Sequence, residues 1–177
     1  MARFAALLRG VNVGPTTKVP MAELREVIEE LGGTDVKTLL NSGNVVFQLH
    51  ASPKVIDDMV SEAVSKRFGF QIDVVCRTKK QLESVLAHDP LGDVATDDSK
   101  YLILFLPKPP KAAAVKPVLA AEHPGGEQCA LKGREFYIWT PNGVSKSKSA
   151  EAFGKSKAVD FATGRNVRTL KKLIEIL

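Results

Sequence analysis

Cysteine, histidine and aromatic residues are scarce in this chain, and each scarcity removes a class of function. The 177 residues include two cysteines, three histidines, one tryptophan and two tyrosines. Cys76 and Cys129 are too few for a disulfide framework and form no Cys-x-x-Cys pair. His50, His88 and His123 are scattered without the spacing of a ligand set, so the sequence predicts no metal site and no cofactor.

Long apolar runs are also missing. No stretch approaches the ~20 apolar residues that a membrane span needs, and the opening apolar run is too short for a signal peptide and lacks a small-residue cleavage site. Hydrophobic residues still make up 44% of the chain, which suffices for a core and excludes global disorder. These observations predict a cytoplasmic protein without membrane association, and they leave the oligomeric state open.

The charge is distributed unevenly along the chain. Residues 1–127 carry a net charge of −1, whereas residues 128–177 carry 10 basic and 4 acidic side chains, a net of +6. A basic C-terminal third favours an anionic partner such as a nucleic acid or a nucleotide. The equally weighted alternative is a basic surface that is simply well solvated.

Apolar periodicity and turn residues predict the same order of elements twice. In the first half, strands are predicted at 3–9, 36–40, 45–49 and 72–76, with helices beginning near Pro20, Pro53 and Thr78. In the second half, the pattern predicts a strand at 101–106, a helix at 111–121 with Pro117 inside it, a hairpin about Gly133, a weak helix at 145–154, a short strand at 159–161 and a closing helix capped by Asn166.

Each half therefore reads β-α-β-β-α-β-α. The predicted fold class is α+β, with two ferredoxin-like (β-α-β-β-α-β) subdomains related by an apparent duplication. The predicted boundaries are 1–90 for the first subdomain, 91–99 for a polar linker and 100–177 for the second. The first strand-to-helix connection is much longer in the first half, where it runs from Gly10 to Val19, which marks that loop as a candidate functional segment.

Three N-terminal blocks carry a family resemblance. They read LLRGVNVG at 7–14, KVPMAEL at 18–24 and SGNVVF at 42–47, and a fourth block near the end reads ATGRN at 162–166, followed by Thr169. Together they resemble the bacterial domain-of-unknown-function family number 1697. Val167 departs from the pattern, because the family usually places a tryptophan there. The resemblance implies a cytoplasmic bacterial protein of two related α+β subdomains, and it brings no known activity.

The loop from Arg9 to Lys18 is the first candidate site. Arg9, Asn12 and Lys18 offer donors, and a glycine-containing loop that leads into a helix N-terminus suits an anion. The spacing of Gly10 and Gly14 matches neither a P-loop nor a dinucleotide-binding fingerprint. The competing interpretation is a structural loop whose glycines permit positive φ.

Two further segments supply candidate ligand-binding residues. Ser42 and Asn44 could bond a ligand at the end of the sheet, although a tight hairpin turn demands the same residue types. Arg165 could clamp a phosphate or carboxylate beside Asn166. The alternative there is a helix cap, Asn166, next to a surface arginine.

Two motif-like segments receive weaker interpretations. The strand from Lys132 to Trp139 partly matches an RNA-recognition strand, but its aromatic residues are predicted to be core. Ser145–Lys148 contains a Ser-x-x-Lys spacing without the partner motifs of an acylating site, so we interpret it as a flexible basic loop.

The sequence thus predicts a protein that binds a phosphate-bearing anion, a nucleotide or nucleic acid, at loop-to-helix sites. The second hypothesis is an enzyme that acts on a small anionic metabolite in a cleft between the subdomains; its catalytic residues are unknown, since no nucleophile–base pair is visible. We further predict that Arg9, Asn12, Lys18, Arg165 and Asn166 border one pocket, with Ser42 and Asn44 nearby.

Overall fold

The computed structural model describes all 177 residues as a mixed α+β protein with two four-stranded antiparallel sheets and six helices. The backbone packs into two compact units, one formed by Met1–Ser84 with Lys172–Leu177 and the other by Val85–Lys171. The domain boundaries drawn from the sequence, with a first subdomain at 1–90, a linker at 91–99 and a second subdomain at 100–177, remain a prediction. Every helix is too short or too polar to cross a bilayer.

The elements follow the predicted order in both halves of the chain. The first seven are β1 (Ala2–Leu8), α1 (Met21–Glu30), β2 (Thr34–Thr38), β3 (Asn44–Leu49), α2 (Ile56–Phe68), β4 (Val74–Thr78) and α3 (Lys79–Ala87). The second seven are β5 (Tyr101–Phe105), α4 (Ala112–Ala120), β6 (Gln128–Lys132), β7 (Glu135–Trp139), α5 (Lys148–Lys155), β8 (Thr163–Asn166) and α6 (Val167–Ile176). Both halves therefore have the order β-α-β-β-α-β-α.

The sheet of the first unit has the strand order β2-β3-β1-β4. Its central strand β1 pairs antiparallel with β3 and β4, so that Ala6 lies between Val45 and Cys76. Alternate residues of β1 pack against α1 and α2 in one apolar core, led by Phe4, Ala6 and Leu8. Ala5 and Leu7, on the other face of the strand, are also fully buried, which explains the continuous apolar run in the sequence.

The sheet of the second unit has the equivalent order β6-β7-β5-β8. Its core joins Leu102, Leu104 and Phe136 to α4 and α5, and the rings of Phe136 and Phe153 lie 4.4 Å apart. Pro117 lies inside α4, as predicted. The caps predicted for α3 and α6 are confirmed: Thr78 and Gln81 bond reciprocally, and Asn166 Oδ1 accepts from the Thr169 amide.

The predicted short strand at 159–161 is wrong, because the fourth strand of this sheet is β8 at Thr163–Asn166. The sequence Thr-Gly-Arg-Asn reads as a turn, yet Gly164 pairs with Leu104 in the middle of a ladder. A Cβ at Gly164 would lie 3.0 Å from the Leu102 side chain and 3.1 Å from that of Leu104. Glycine is therefore used here for close packing rather than for a turn.

The segment Ser145–Lys148, interpreted as a flexible basic loop, is instead the helical lead into α5: Val144–Lys146 forms one 3-10 turn, and α5 begins at Lys148, inside the weak helix predicted at 145–154. Ser147 is the N-cap, and its hydroxyl accepts from the Ala150 amide at 3.0 Å. The Glu127 carboxylate accepts from the Lys148 and Ser149 amides at 3.2 and 2.9 Å and from the Ser147 hydroxyl at 3.1 Å. The first turn of α5 thus already holds an anion that belongs to the chain itself.

Glu127→Gln should lower the free energy of unfolding at neutral pH by about 1 kcal/mol, because the amide nitrogen would face helix N–H donors. Burial opposes ionisation, but the Ser149, Ser147 and Lys148 hydrogen bonds outweigh it and hold the pKa of Glu127 below its ordinary value of 4.5. The stabilisation is then complete above that value and is lost as the pH falls through the lower folded-state pKa.

Urea denaturation at a series of pH values measures this difference between wild type and variant. Glu122→Gln is the matched control, since Glu122 is exposed and makes no side-chain bond. A gap between wild type and Glu127→Gln that stayed constant from neutral to strongly acidic pH would contradict the assignment.

Candidate functional site

Two loops meet at one end of the first unit. Leu7 of β1 pairs with Asn44, the first residue of β3, and Leu8 pairs with Val74, the first residue of β4. The loop after β1, residues 9–20, therefore emerges beside the turn before β3, residues 39–43. These two segments contain four of the seven predicted ligand-binding residues, and we call them together the loop cluster; a fifth, Asn44, is the first residue of β3 directly after them.

Asn12 holds the loop cluster together. Its side-chain nitrogen donates to the Val19 carbonyl at 3.0 Å and to the Asn41 carbonyl at 2.7 Å, while its Oδ1 accepts from the Val19 amide at 2.9 Å. Its backbone amide donates to Thr17 at 2.7 Å, and its φ of 56° lies in the left-handed region that asparagine tolerates. Asn12 thus bridges the two loops with its own polar atoms and fixes the path into α1.

Gly43 provides the close packing between the same two segments. Its φ is +74°, and a Cβ there would lie 2.5 Å from Val11 Cγ2 and 2.8 Å from Leu8 Cβ. Its carbonyl also accepts from the Leu8 amide at 2.9 Å. No other residue fits this position without moving the start of the long loop.

Arg9 and Lys18 supply the positive charge of the loop cluster. Arg9 Nη1 lies 3.1 Å from Asp73 Oδ2, and about half of the arginine side chain, 51%, is exposed. Lys18 is exposed and its ammonium has no hydrogen-bond or ion-pair partner. Three residues later α1 begins at Met21, and its N-cap residue, Pro20, offers no side-chain acceptor to the first turn.

Ser42 and Asn44 have different surroundings although they are two residues apart. Asn44 is completely buried, and its Nδ2 donates to the Leu39 carbonyl and to Ser42 Oγ, both at 2.9 Å. Ser42 is exposed in the turn. Asn44 therefore shapes the hairpin turn, as the structural interpretation of this segment predicted, while Ser42 remains accessible from solvent.

Arg165 and Asn166 belong to the second unit. Arg165 is only 7% exposed, so it is not the surface arginine that the structural alternative assumed. Its Nη1 donates to Thr163 Oγ1 at 3.0 Å and to the Gly164 carbonyl at 2.8 Å, and burial lowers its pKa to about 10. Asn166 is engaged as the cap of α6. Ligand contact by these two residues stays a prediction.

A second buried arginine escaped the sequence analysis. Arg77 is 1% exposed, and its Nη1 donates to the Cys76 carbonyl at 3.0 Å. It occupies in β4 the place that Arg165 occupies in β8, paired with the central strand and directly followed by a helix cap. The signal was present in the sequence, since Arg-Thr-x-x-Gln at 77–81 parallels Arg-Asn-x-x-Thr at 165–169.

The aromatic strand β7 does not offer a stacking platform. Phe136, Tyr137, Ile138 and Trp139 are all at least nine-tenths buried, which agrees with the prediction that they are core and leaves no ring for a nucleobase. Both cysteines are free thiols, and no group of three His, Cys, Asp or Glu side chains is arranged to hold a metal ion.

The chain is thus an α+β protein of two units, each with a four-stranded antiparallel sheet, and it has a long loop after the first strand that Asn12 fixes in place. A solved structure described as that of conserved bacterial protein SP0830 from Streptococcus pneumoniae superposes with a TM-score of 0.74 at 25% identity, covering 100% of this chain and 98% of that chain. The chain belongs to the family described as "Protein of unknown function (DUF1697)", whose model matches residues 1–137. No curated protein matches it.

Proposed function

We propose that this protein binds a phosphate-bearing anion, either a nucleotide or a nucleic acid, at its loop cluster, with Lys18 as the principal cation. The observation that carries the proposal is the solvent-exposed, unpaired ammonium of Lys18 on a loop that leads directly into α1. Such a loop presents backbone N–H groups and the positive end of the helix dipole to the same anion.

The rigidity of the loop cluster supports the proposal. Asn12 ties the loop to the neighbouring turn through bonds of 2.7 and 3.0 Å, and Gly43 packs against Val11. A loop that is already ordered loses little conformational entropy on binding, so more of the interaction energy appears as affinity. Ser42 in the adjoining turn is also exposed, and we place it at the border of the same ligand site.

Two acidic residues limit the affinity of this site. Asp73 forms a 3.1 Å ion pair with Arg9 and so competes with the ligand for that side chain. Glu23 places a negative charge in the first turn of α1, where it repels an anion. Arg9 must therefore break its ion pair with Asp73 before it can bind the ligand, whereas Lys18 has no existing interaction to break. Recognition would act through the phosphate, because the aromatic residues of β7 are buried and offer no base stacking.

The proposal predicts opposite effects from two single substitutions. Lys18→Ala should weaken binding at least about tenfold, because a hydrogen bond to a charged group contributes about 1.5–3 kcal/mol. Asp73→Asn should tighten binding, because it frees Arg9 and removes a competing negative charge. The measurement is fluorescence anisotropy with a labelled single-stranded DNA, and competition with a nucleoside triphosphate, both at low ionic strength.

Lys54→Ala is the matched control, since Lys54 is exposed and follows β3 at the opposite end of the same sheet. It removes the same charge from the same unit and should leave affinity unchanged. Equal weakening by Lys54→Ala and Lys18→Ala would show that only overall charge matters, and absence of binding to both probes at low salt would remove the proposal.

We also propose that each unit is ferredoxin-like. The support is that β2-β3-β1-β4 and β6-β7-β5-β8 both place the third strand of the unit between the first and the second, with every neighbouring pair antiparallel. This is the arrangement of a split β-α-β unit.

A further inference from the structure

Each sheet ends in two outer strands, and three of these four edges are blocked. The edge of β2 is interrupted by a register shift between Thr34 and Lys37, and Lys37 forms a 3.0 Å ion pair with Asp35, whose φ is 51°. Two amides of the β4 edge are capped by side chains: Asp57 Oδ1 of α2 accepts from the Cys76 amide at 2.9 Å, and Gln81 Oε1 accepts from the Thr78 amide at 2.8 Å. Bulges, charges and covering side chains are the usual means by which proteins prevent edge-to-edge pairing.

The edge of β8 is blocked by its own side chain. The strand has only four residues. The Arg165 guanidinium donates hydrogen bonds to the Gly164 carbonyl and the Thr163 hydroxyl, so these acceptors are not available to another strand. The same device is absent from the opposite edge of this sheet, which is formed by β6.

The edge of β6 has no bulge and no side chain bonded across it, and its single charge, the Lys132 ammonium, is directed to the His88 carbonyl at 3.2 Å. Its five residues, Gln128–Lys132, pair with β7 in one unbroken register, and they contain no proline and only one charge. Because Lys132 and Glu135 close a two-residue hairpin, the backbone groups of Cys129 and Leu131 face away from β7. No hydrogen bond joins these groups to the rest of the chain.

We propose that β6 pairs antiparallel with β6 of a second copy of this chain, about a two-fold axis at Ala130. In that register the small Ala130 lies opposite itself and Cys129 lies opposite Leu131. Gln128 lies opposite Lys132, so no like charges face each other. The strand is thus complementary to itself, as a two-fold interface requires.

A cavity beside the strand supports this occupant. It has a volume of about 520 Å³ and is lined by Leu119, His123 and Cys129 among others. Cys129 and Leu131 both lie on the face of the sheet that packs against the core of the second unit. Leu131 of the second copy, opposite Cys129, would therefore enter this cavity and cover Leu119, which is 36% exposed.

The assembly is limited to a dimer, because each chain has one unprotected edge strand and the two-fold pairing buries that edge in both copies. A pair of five-residue strands buries less area than a standard interface, so the dimer should dissociate on dilution. Analytical ultracentrifugation of the wild-type chain over a wide concentration range should show a reversible monomer–dimer equilibrium.

Ala130→Lys places two ammonium groups opposite each other and should abolish the dimer. Ala113→Lys, on the exposed start of α4, is the matched control and should leave the equilibrium unchanged. Thermal unfolding of both variants establishes that they are folded. A wild-type chain that stays monomeric at every concentration overturns the proposal.

Cross-linking tests the register without relying on a disruptive substitution. Leu131→Cys creates a thiol opposite Cys129 of the second copy, where the ~5.5 Å Cα separation of a hydrogen-bonded pair suits a disulfide. On mild oxidation it should form covalent dimers much faster than Lys132→Cys, whose thiol is more exposed but lies on the other face. Equal cross-linking rates for the two variants would mean that any dimer uses another surface, which also overturns the proposal.

Discussion

Gly43→Ala is expected to lower the free energy of unfolding by about 2–4 kcal/mol. The new methyl group would lie 2.5 Å from Val11 Cγ2 and 2.8 Å from Leu8 Cβ, and the backbone at φ +74° disfavours any side chain. Overpacking of this kind and a left-handed alanine each add to the cost. Urea denaturation, followed by circular dichroism, measures the change.

Gly14→Ala is the control for Gly43→Ala. Gly14 lies in the same loop cluster, its φ is not in the left-handed region, and a Cβ there meets no atom within 4 Å. It should remain within about 0.5 kcal/mol of the wild type. If the two alanine variants were equally stable, the contact between the turn and the loop would not determine their arrangement.

Arg165→Ala is expected to cost about 3–5 kcal/mol of folding stability, although the sequence suggested a ligand clamp whose loss the fold would survive. The side chain is 7% exposed, and its guanidinium donates to Thr163 Oγ1 and to the Gly164 carbonyl. The substitution leaves a cavity and removes the donor from two buried acceptors. Urea denaturation again provides the measurement.

Arg168→Ala is the matched arginine variant. Arg168 is 61% exposed and lies 4.0 Å from Asp97, a separation at which an exposed ion pair contributes little. It should change stability by less than about 0.5 kcal/mol. If the Arg165→Ala variant were as stable as the wild type but no longer bound an anion, Arg165 would be a ligand-binding residue and the structural role would be excluded.

The features that were predictable from the sequence are those encoded over a few residues. Helical periodicity in α1, the reciprocal cap of Thr78 and Gln81 and the hairpin about Gly133 all depend on neighbours within one or two turns of chain. The repeated order of elements followed from adding such local signals together. The long loop after β1 was singled out by its length, its glycines and its polar side chains, before any contact was known.

The features that were missed depend on residues far apart in sequence. Asn12 became a structural bridge because the folded chain places Asn41 beside it, which no local pattern reveals. Residues 163–166 were placed in a loop before the closing helix because glycine and asparagine disfavour strands, and only pairing with β5 makes them the strand β8. Arg165 was predicted to be a ligand clamp, with a surface arginine as the alternative, and neither interpretation included burial because isolated cations are rarely buried.

The order of strands in each sheet has a consequence for the rate at which the chain folds. The hairpins β2–β3 and β6–β7 join nearby residues, whereas Ala5 must find Arg77 and Ile103 must find Arg165. Closing those long loops is entropically costly, so β4 and β8 are expected to join late. The two guanidinium groups then leave water near the end of folding, and substitutions at them should accelerate unfolding far more than they slow folding.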